Sequence, residues 1–111
     1  MSTCSAVLDI TEEQFDHNVV EATGVVLVKF WAPWCGNSRK MTPVYEQVAQ
    51  QLSGVVSLRL DIDHNPTIPR RYGVRGVPIF MLFRHGQIVD TRTGVIEESD
   101  FLAWINRLIN S

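Results

Sequence analysis

The apolar positions of this chain switch repeatedly between strand spacing and helical spacing. The run Val25–Trp31 is continuous and rich in β-branched residues, which suits a strand buried on both faces of a sheet. Residues 6–9 predict a short strand ahead of it, and residues 55–62 predict another behind it. Between these, Met41, Val44, Tyr45, Val48 and Leu52 recur at helical spacing. They predict a long helix that begins near Cys35, is kinked by Pro43 and is closed by Gly54. Thr11 with Gln14 has the form of a capping box, and Ile10 with Phe15 that of a hydrophobic staple, so a helix is expected to about Glu21, stopping before Gly24. Asn65-Pro66 opens a short helix with the proline at its first position, and Gly73 ends it. Residues 78–83 and Gln87–Thr93 read as a hairpin around His85-Gly86. Phe101, Leu102, Ile105, Leu108 and Ile109 make the apolar face of a last helix, about 97–110. Acidic Glu97, Glu98 and Asp100 suit its N-terminus.

The order β-α-β-α-β-α-β-β-α implies an α/β fold, a central mixed sheet of about five strands flanked by four helices on its two faces. Only the last two strands are joined tightly enough to be expected as antiparallel neighbours. No internal repeat, low-complexity segment or linker interrupts the pattern, so residues 1–111 read as a single domain.

Composition narrows the function classes. A 45% hydrophobic and 20% charged chain is ordinary for a soluble protein that closes one core without disulfide staples. A net charge of -2 gives no electrostatic case for nucleic acid. The N-terminus has no basic and apolar signal pattern, and the apolar stretch 25–32, broken by Lys29, is too short to span a bilayer. No membrane partner is therefore expected. Cys4 and Cys35 are too few for a disulfide framework, so a reducing, cytoplasmic setting is the expectation. No zinc spacing, phosphate loop or Ser/His/Asp arrangement is present, and neither a metal nor a cofactor is expected. His17, His64 and His85 are expected to face solvent.

Chemistry concentrates where the buried strand 25–31 meets the long helix, at Trp31-Ala-Pro-Trp34-Cys35-Gly36-Asn37-Ser38. A cysteine at a helix N-terminus faces unpaired backbone N–H groups and the positive end of the helix dipole. Both favour thiolate, the nucleophilic form. Gly36 lets a bulky substrate approach the backbone. The competing reading is a structural cysteine packed in the core.

These residues resemble the thioredoxin family over nearly the whole chain. The resemblance rests on Val28-Lys-Phe-Trp-Ala-Pro-Trp-Cys-Gly36, Asp61-Ile-Asp-His-Asn-Pro66 and Arg71-Tyr-Gly-Val-Arg-Gly-Val-Pro-Ile79, with Gly94 and Pro43. It implies the thioredoxin fold and a protein-disulfide oxidoreductase that works through Trp-Cys-Gly-Pro-Cys. This chain departs from that motif at Ser38, where the second cysteine is expected, and at Asn37, where proline is usual. It departs again at Lys29, where the family carries a buried aspartate that helps deprotonate the second cysteine. Cys35 can attack a disulfide, but the Ser38 alcohol cannot resolve the mixed disulfide, so a full dithiol reductase cycle is not expected. Isomerisation, removal of glutathione and trapping of clients stay open.

Two readings of Ser38 stand side by side: a hydrogen bond to the Cys35 thiolate, or a cap on the first helical turn. Lys29 has two as well: a stem that packs while its ammonium reaches water, or a cation that favours the thiolate. By the resemblance Arg59 aligns with a family lysine close by, and Asp61 or Asp63 can offset the two cations. Val77-Pro78 aligns with the family's cis-proline beside the active cysteine. Trp34, Gly76, Val77, Gly94 and Val95 would complete a docking surface where an extended client pairs with exposed backbone. Cys4 reads as a free thiol in a loosely held terminus. Arg39, Lys40, Arg70, Arg71 and Arg75 read as solvated helix faces, or as a basic rim that steers acidic clients or glutathione.

The leading expectation is a monomeric, monothiol thiol–disulfide exchange protein acting on protein disulfides or glutathione mixed disulfides, in cell redox homeostasis. The alternatives are a non-catalytic client-binding or assembly module, a dithiol thioredoxin whose resolving cysteine was changed to Ser38, and a monothiol glutaredoxin holding an iron–sulfur cluster. The Trp residues and the approach to Pro78 speak against the last.

Overall fold

The structure is a computed structural model that describes residues 6–110, so the expectation for Cys4 lies outside the described residues. Five strands form one sheet: β1 (Val7–Asp9), β2 (Val25–Trp31), β3 (Val55–Asp61), β4 (Ile79–Arg84) and β5 (Gln87–Thr93), in the order β1-β3-β2-β4-β5. The continuous apolar run of β2 earns it the central place. β5, mostly exposed, lies at an edge. Strands β1, β3 and β2 are parallel, and β4–β5 is the expected antiparallel hairpin, with His85 (φ 53) and Gly86 (φ 78) at its tip. β2 and β4 are antiparallel as well, which corrects the expectation that only the hairpin would be. The long connection after β3 carries the chain across β2 before β4 enters in the opposite direction, so sequence adjacency did not reveal this pairing.

Four helical segments flank the sheet: α1 (Glu12–Phe15), α2 (Gly36–Gln51), α3 (Thr67–Arg71) and α4 (Glu98–Ile109). α1 starts in the expected capping box, with the Thr11 N–H donating to Gln14 Oε1 at 3.0 Å. It widens into a π-wound turn over Asp16–Val20, closed by the Glu21 N–H on the Asp16 carbonyl. Pro66 stands at the N-cap of α3, one position earlier than expected. α2 ends at Gln51, ahead of Gly54 (φ 77), and runs as one helix through Pro43. His17, His64 and His85 are exposed. Among the described residues no helix is long and apolar enough to cross a membrane.

Side-chain alternation along β2 divides the core and sets up the site. Val26, Val28 and Phe30 face one cluster, with Phe15, Val19 and Ile68 from the α1 and α3 side. Leu27 faces the other, with Met41, Tyr45 and Val48 of α2 and Phe101, Trp104 and Ile105 of α4. Lys29, two residues on from Leu27, shares that second face and so comes to lie beneath the first turns of α2.

Candidate active site

Cys35 stands at the N-cap of α2, in extended geometry (φ -90, ψ 117). Its N–H donates to the Ala32 carbonyl at 3.1 Å, closing the turn out of β2, and its own carbonyl accepts the Arg39 N–H at 3.1 Å. The strand therefore delivers the sulfur to the helix end where backbone N–H groups lack intrahelical partners. Sγ is partly exposed and donates to the Val77 carbonyl at 3.6 Å, across the cis Val77–Pro78 peptide. Pro78 is buried, and its carbonyl accepts the Gly94 N–H at 2.9 Å. The Ile96 N–H reaches Met41 Sδ at 3.4 Å, tying the segment after β5 to α2. These contacts bring the 34–35, 76–78 and 94–96 segments to one end of the sheet. Trp34 (66% exposed) and Val95 (55% exposed) stand out from them. Gly36, Asn37 and Gly76 are exposed, and Val77 and Gly94 are partly so.

Ser38 is fully buried, and its hydroxyl has no hydrogen-bond partner. The N-cap is Cys35 and Ser38 lies inside the helix, so the capping reading is set aside. The Ser38 hydroxyl is the largest influence holding the Cys35 thiol below its ordinary pKa. The Ser38 and Asn37 N–H groups and the Arg39 charge act the same way, against partial desolvation. In this geometry Sγ donates to the Val77 carbonyl and the Ser38 hydroxyl makes no hydrogen bond to it, so that hydroxyl is a buried donor without an acceptor.

Lys29 corrects the snorkelling reading: no part of its side chain reaches solvent. Nζ donates to the Ser38 carbonyl at 2.8 Å and to Thr42 Oγ1 at 3.3 Å. Thr42 in turn donates to the same Ser38 carbonyl at 3.4 Å. A β2 side chain thus bolts the first turn of α2 to the sheet. Burial first and the Arg59 charge second lower the Lys29 pKa from 10.5 to about 8, against an opposing upward pull from Cys35. Electrostatic coupling is reciprocal, so a Lys29 ammonium equally favours the Cys35 thiolate. A cleft of about 370 Å³ lies alongside, lined by Lys29 itself together with Val7, Thr42, Pro43, Tyr45, Glu46 and Arg59.

Arg59 is the direct cross-strand neighbour of Lys29, which explains their repulsion. It does not turn toward Cys35. Its guanidinium lies over the Trp31 ring, 4.8 Å from the centroid, and pairs with Asp9 at 2.5 Å and 3.2 Å. The offsetting acid is therefore Asp9 and neither Asp61 nor Asp63. Asp61 accepts from the Asp63 N–H and meets His64 Nδ1, each at 2.9 Å. Sequence reasoning missed Thr42 and the Val77 carbonyl as members of the site. Thr42 carried a readable signal, since it lies one helical turn after Ser38 on the same face; the Val77 contact carried none. Asn65 was also missed. It is buried, accepts the Glu12 N–H at 2.8 Å and donates to the Asp61 carbonyl at 3.0 Å, joining α1 to the loop after β3. Among the described residues no cluster of His, Cys, Asp and Glu could hold a metal ion.

Comparison with known proteins agrees with this geometry. The family model described as Thioredoxin matches residues 6–107. A thioredoxin of Rickettsia felis is 40% identical over 102 residues, covering 91% of this chain and 97% of that protein. A thioredoxin of Pseudomonas aeruginosa is 37% identical over 101 residues, 90% of this chain and 94% of its own length. Thioredoxin 1 of Synechococcus elongatus is 42% identical over 100 residues, 89% and 91% respectively.

Proposed function

The chain belongs to the thioredoxin family, and from that premise we propose that it performs thiol–disulfide exchange through one thiol, Cys35. The observation that carries this reading is the pairing of a helix-capping Cys35 with a buried, partnerless Ser38 hydroxyl beside it. The Cys35 thiolate attacks one sulfur of a client disulfide. A new disulfide joins Cys35 to that sulfur, and the other client sulfur leaves as a thiolate with the bonding electrons. Ser38 has no sulfur with which to reverse this step. An outside thiol, from glutathione or from a second client cysteine, then attacks the mixed disulfide and releases Cys35 as a thiolate. Ser38 donates its idle hydroxyl to that thiolate, and the Lys29 ammonium adds a favourable field from below. Arg59 acts at one remove, through its repulsion of Lys29. Trp34, Val77 and Val95 form the apolar face on which a client strand rests, and Gly36, Gly76 and Gly94 keep its approach clear. A single chain suffices for each step.

The test is intact-mass analysis after exposure to oxidised glutathione, run beside an insulin reduction assay. A single glutathione adduct on Cys35 with little insulin reduction is expected, and Ser38→Cys should raise the reduction rate. An unmodified protein, or full reductase turnover by the chain with Ser38 in place, refutes the proposal. In a separate measurement, Ser38→Ala should move the pH midpoint of Cys35 alkylation upward.

A further inference from the structure

Of the ten lysines and arginines in the chain, half are engaged within the fold. Lys29 holds α2, Arg59 and Arg71 pair with Asp9 and Asp16, Arg84 donates to the Leu108 carbonyl, and Arg92 covers Trp104. Of the other five, Arg107 is exposed on α4, and Arg39, Lys40, Arg70 and Arg75 form a separate set. All four are exposed, and among the described residues their side chains make no ion pair or hydrogen bond. They are not scattered. Arg39 and Lys40 lie on the first turns of α2, close enough for Arg39 to act on the Cys35 thiol. Arg75 is two residues before Val77, whose carbonyl meets Cys35 Sγ, and Arg70 lies in the last turn of α3, which leads into the same segment. The first turn of α2 holds no acid. Asp61, cross-strand from Trp31, is already taken by His64 and the Asp63 N–H. The chain carries a net charge of -2, against which these four cations, Arg39 acting on the thiol itself, stand out.

On the thiol-exchange reading above, we infer that the groove takes an acidic polypeptide: an extended client segment with Asp or Glu on both sides of its disulfide. Its apolar residues rest on Trp34 and Val95, and its carboxylates meet Arg39 and Lys40 on one side and Arg70 and Arg75 on the other. Unspent cations around a site steer oppositely charged partners and disfavour like-charged ones.

The test uses the full chain and three otherwise identical disulfide peptides, flanked by Glu, Gln or Lys. The readout is the second-order rate of mixed-disulfide formation at Cys35. The Glu peptide should react about tenfold faster than the Lys peptide at low salt, with the rates converging near 1 M salt. The variant Lys40→Glu/Arg70→Glu/Arg75→Glu should lose or reverse that order while keeping the Gln-peptide rate, which doubles as the check that it folds. Equal rates for the three peptides, a preference that ignores salt, or a preference that survives in the variant overturns the inference. Absence of an adduct with every peptide overturns the thiol-exchange reading itself, and this one with it.

Discussion

Replacing Lys29 by methionine should make the protein more stable at neutral pH, and that gain should disappear in mild base. Lys29 is fully buried, with two neutral oxygens as its hydrogen-bond acceptors and Arg59 directly across the strand pair. Its pKa falls from 10.5 in water to about 8 in the fold. Between those values the unfolded chain binds the proton more tightly than the native protein, so native stability rises with pH across that window. Below pH 8 the whole penalty applies, up to about 3 kcal/mol at roughly 1.4 kcal/mol per pH unit. Methionine matches the length of the stem and removes the charge, but forfeits two hydrogen bonds worth about 1 kcal/mol together or somewhat more. Lys29→Met should therefore gain about 1–2 kcal/mol at pH 7. By pH 9.5, where the native protein carries an uncharged amine that still donates, about 2 kcal/mol of the penalty has gone and the two proteins should be nearly equal. Urea unfolding of both proteins at half-unit steps from pH 6.5 to 9.5, under reducing conditions, measures the difference directly. The raised pKa of buried Tyr45 acts alike in both and cancels. A stability difference that stays constant with pH, or a methionine variant less stable at pH 7, refutes the account of Lys29 as a buried, destabilised cation.

Three further outcomes follow from the same geometry. Gly86→Ala should cost at least about 2 kcal/mol in thermal or urea unfolding, because φ at that residue is 78 and a Cβ would meet the Val20 carbonyl oxygen; a neutral result would mean that the hairpin tip does not pack there. Asn65→Ala should cost about 2–3 kcal/mol, since it strands the Glu12 N–H and the Asp61 carbonyl together, and Asn65→Asp should recover part of the loss by keeping the acceptor for Glu12. Ser38→Ala should slow Cys35 alkylation at neutral pH while leaving stability unchanged or slightly higher, because the hydroxyl it removes is buried without a partner. A large loss of stability in that variant would mean that Ser38 serves the fold and not the thiol.

Residue spacing alone revealed much of this protein. Hydrophobic period marked the five strands and the long helices, since burial on a sheet or along a helix face leaves a regular trace in the chain. Turn and capping chemistry placed the capping box at Thr11 and Gln14 and the hairpin at His85-Gly86, because those conformations are local. The junction of a buried strand with a helix start was enough to single out Cys35 as a candidate nucleophile. Facts that depend on two distant segments meeting were beyond it. The antiparallel pairing of β2 with β4 follows a crossover whose path no single segment encodes. The winding of Asp16–Val20 into a π turn leaves no mark on apolar spacing. Lys29 read equally well as a snorkelling stem or a cation that favours the thiolate, and only the packing of α2 over β2 showed that its ammonium does not reach water. Arg59 was placed near the site, but which acid it met depended on β1 lying beside β3, which gave it Asp9. The same holds for Ser38. Its identity told that this position offers no second thiol, while its burial without a partner is a property of the closed fold. Sequence determines what chemistry a side chain can offer; solvent exclusion and the neighbours brought by tertiary contact decide which of those offers is taken.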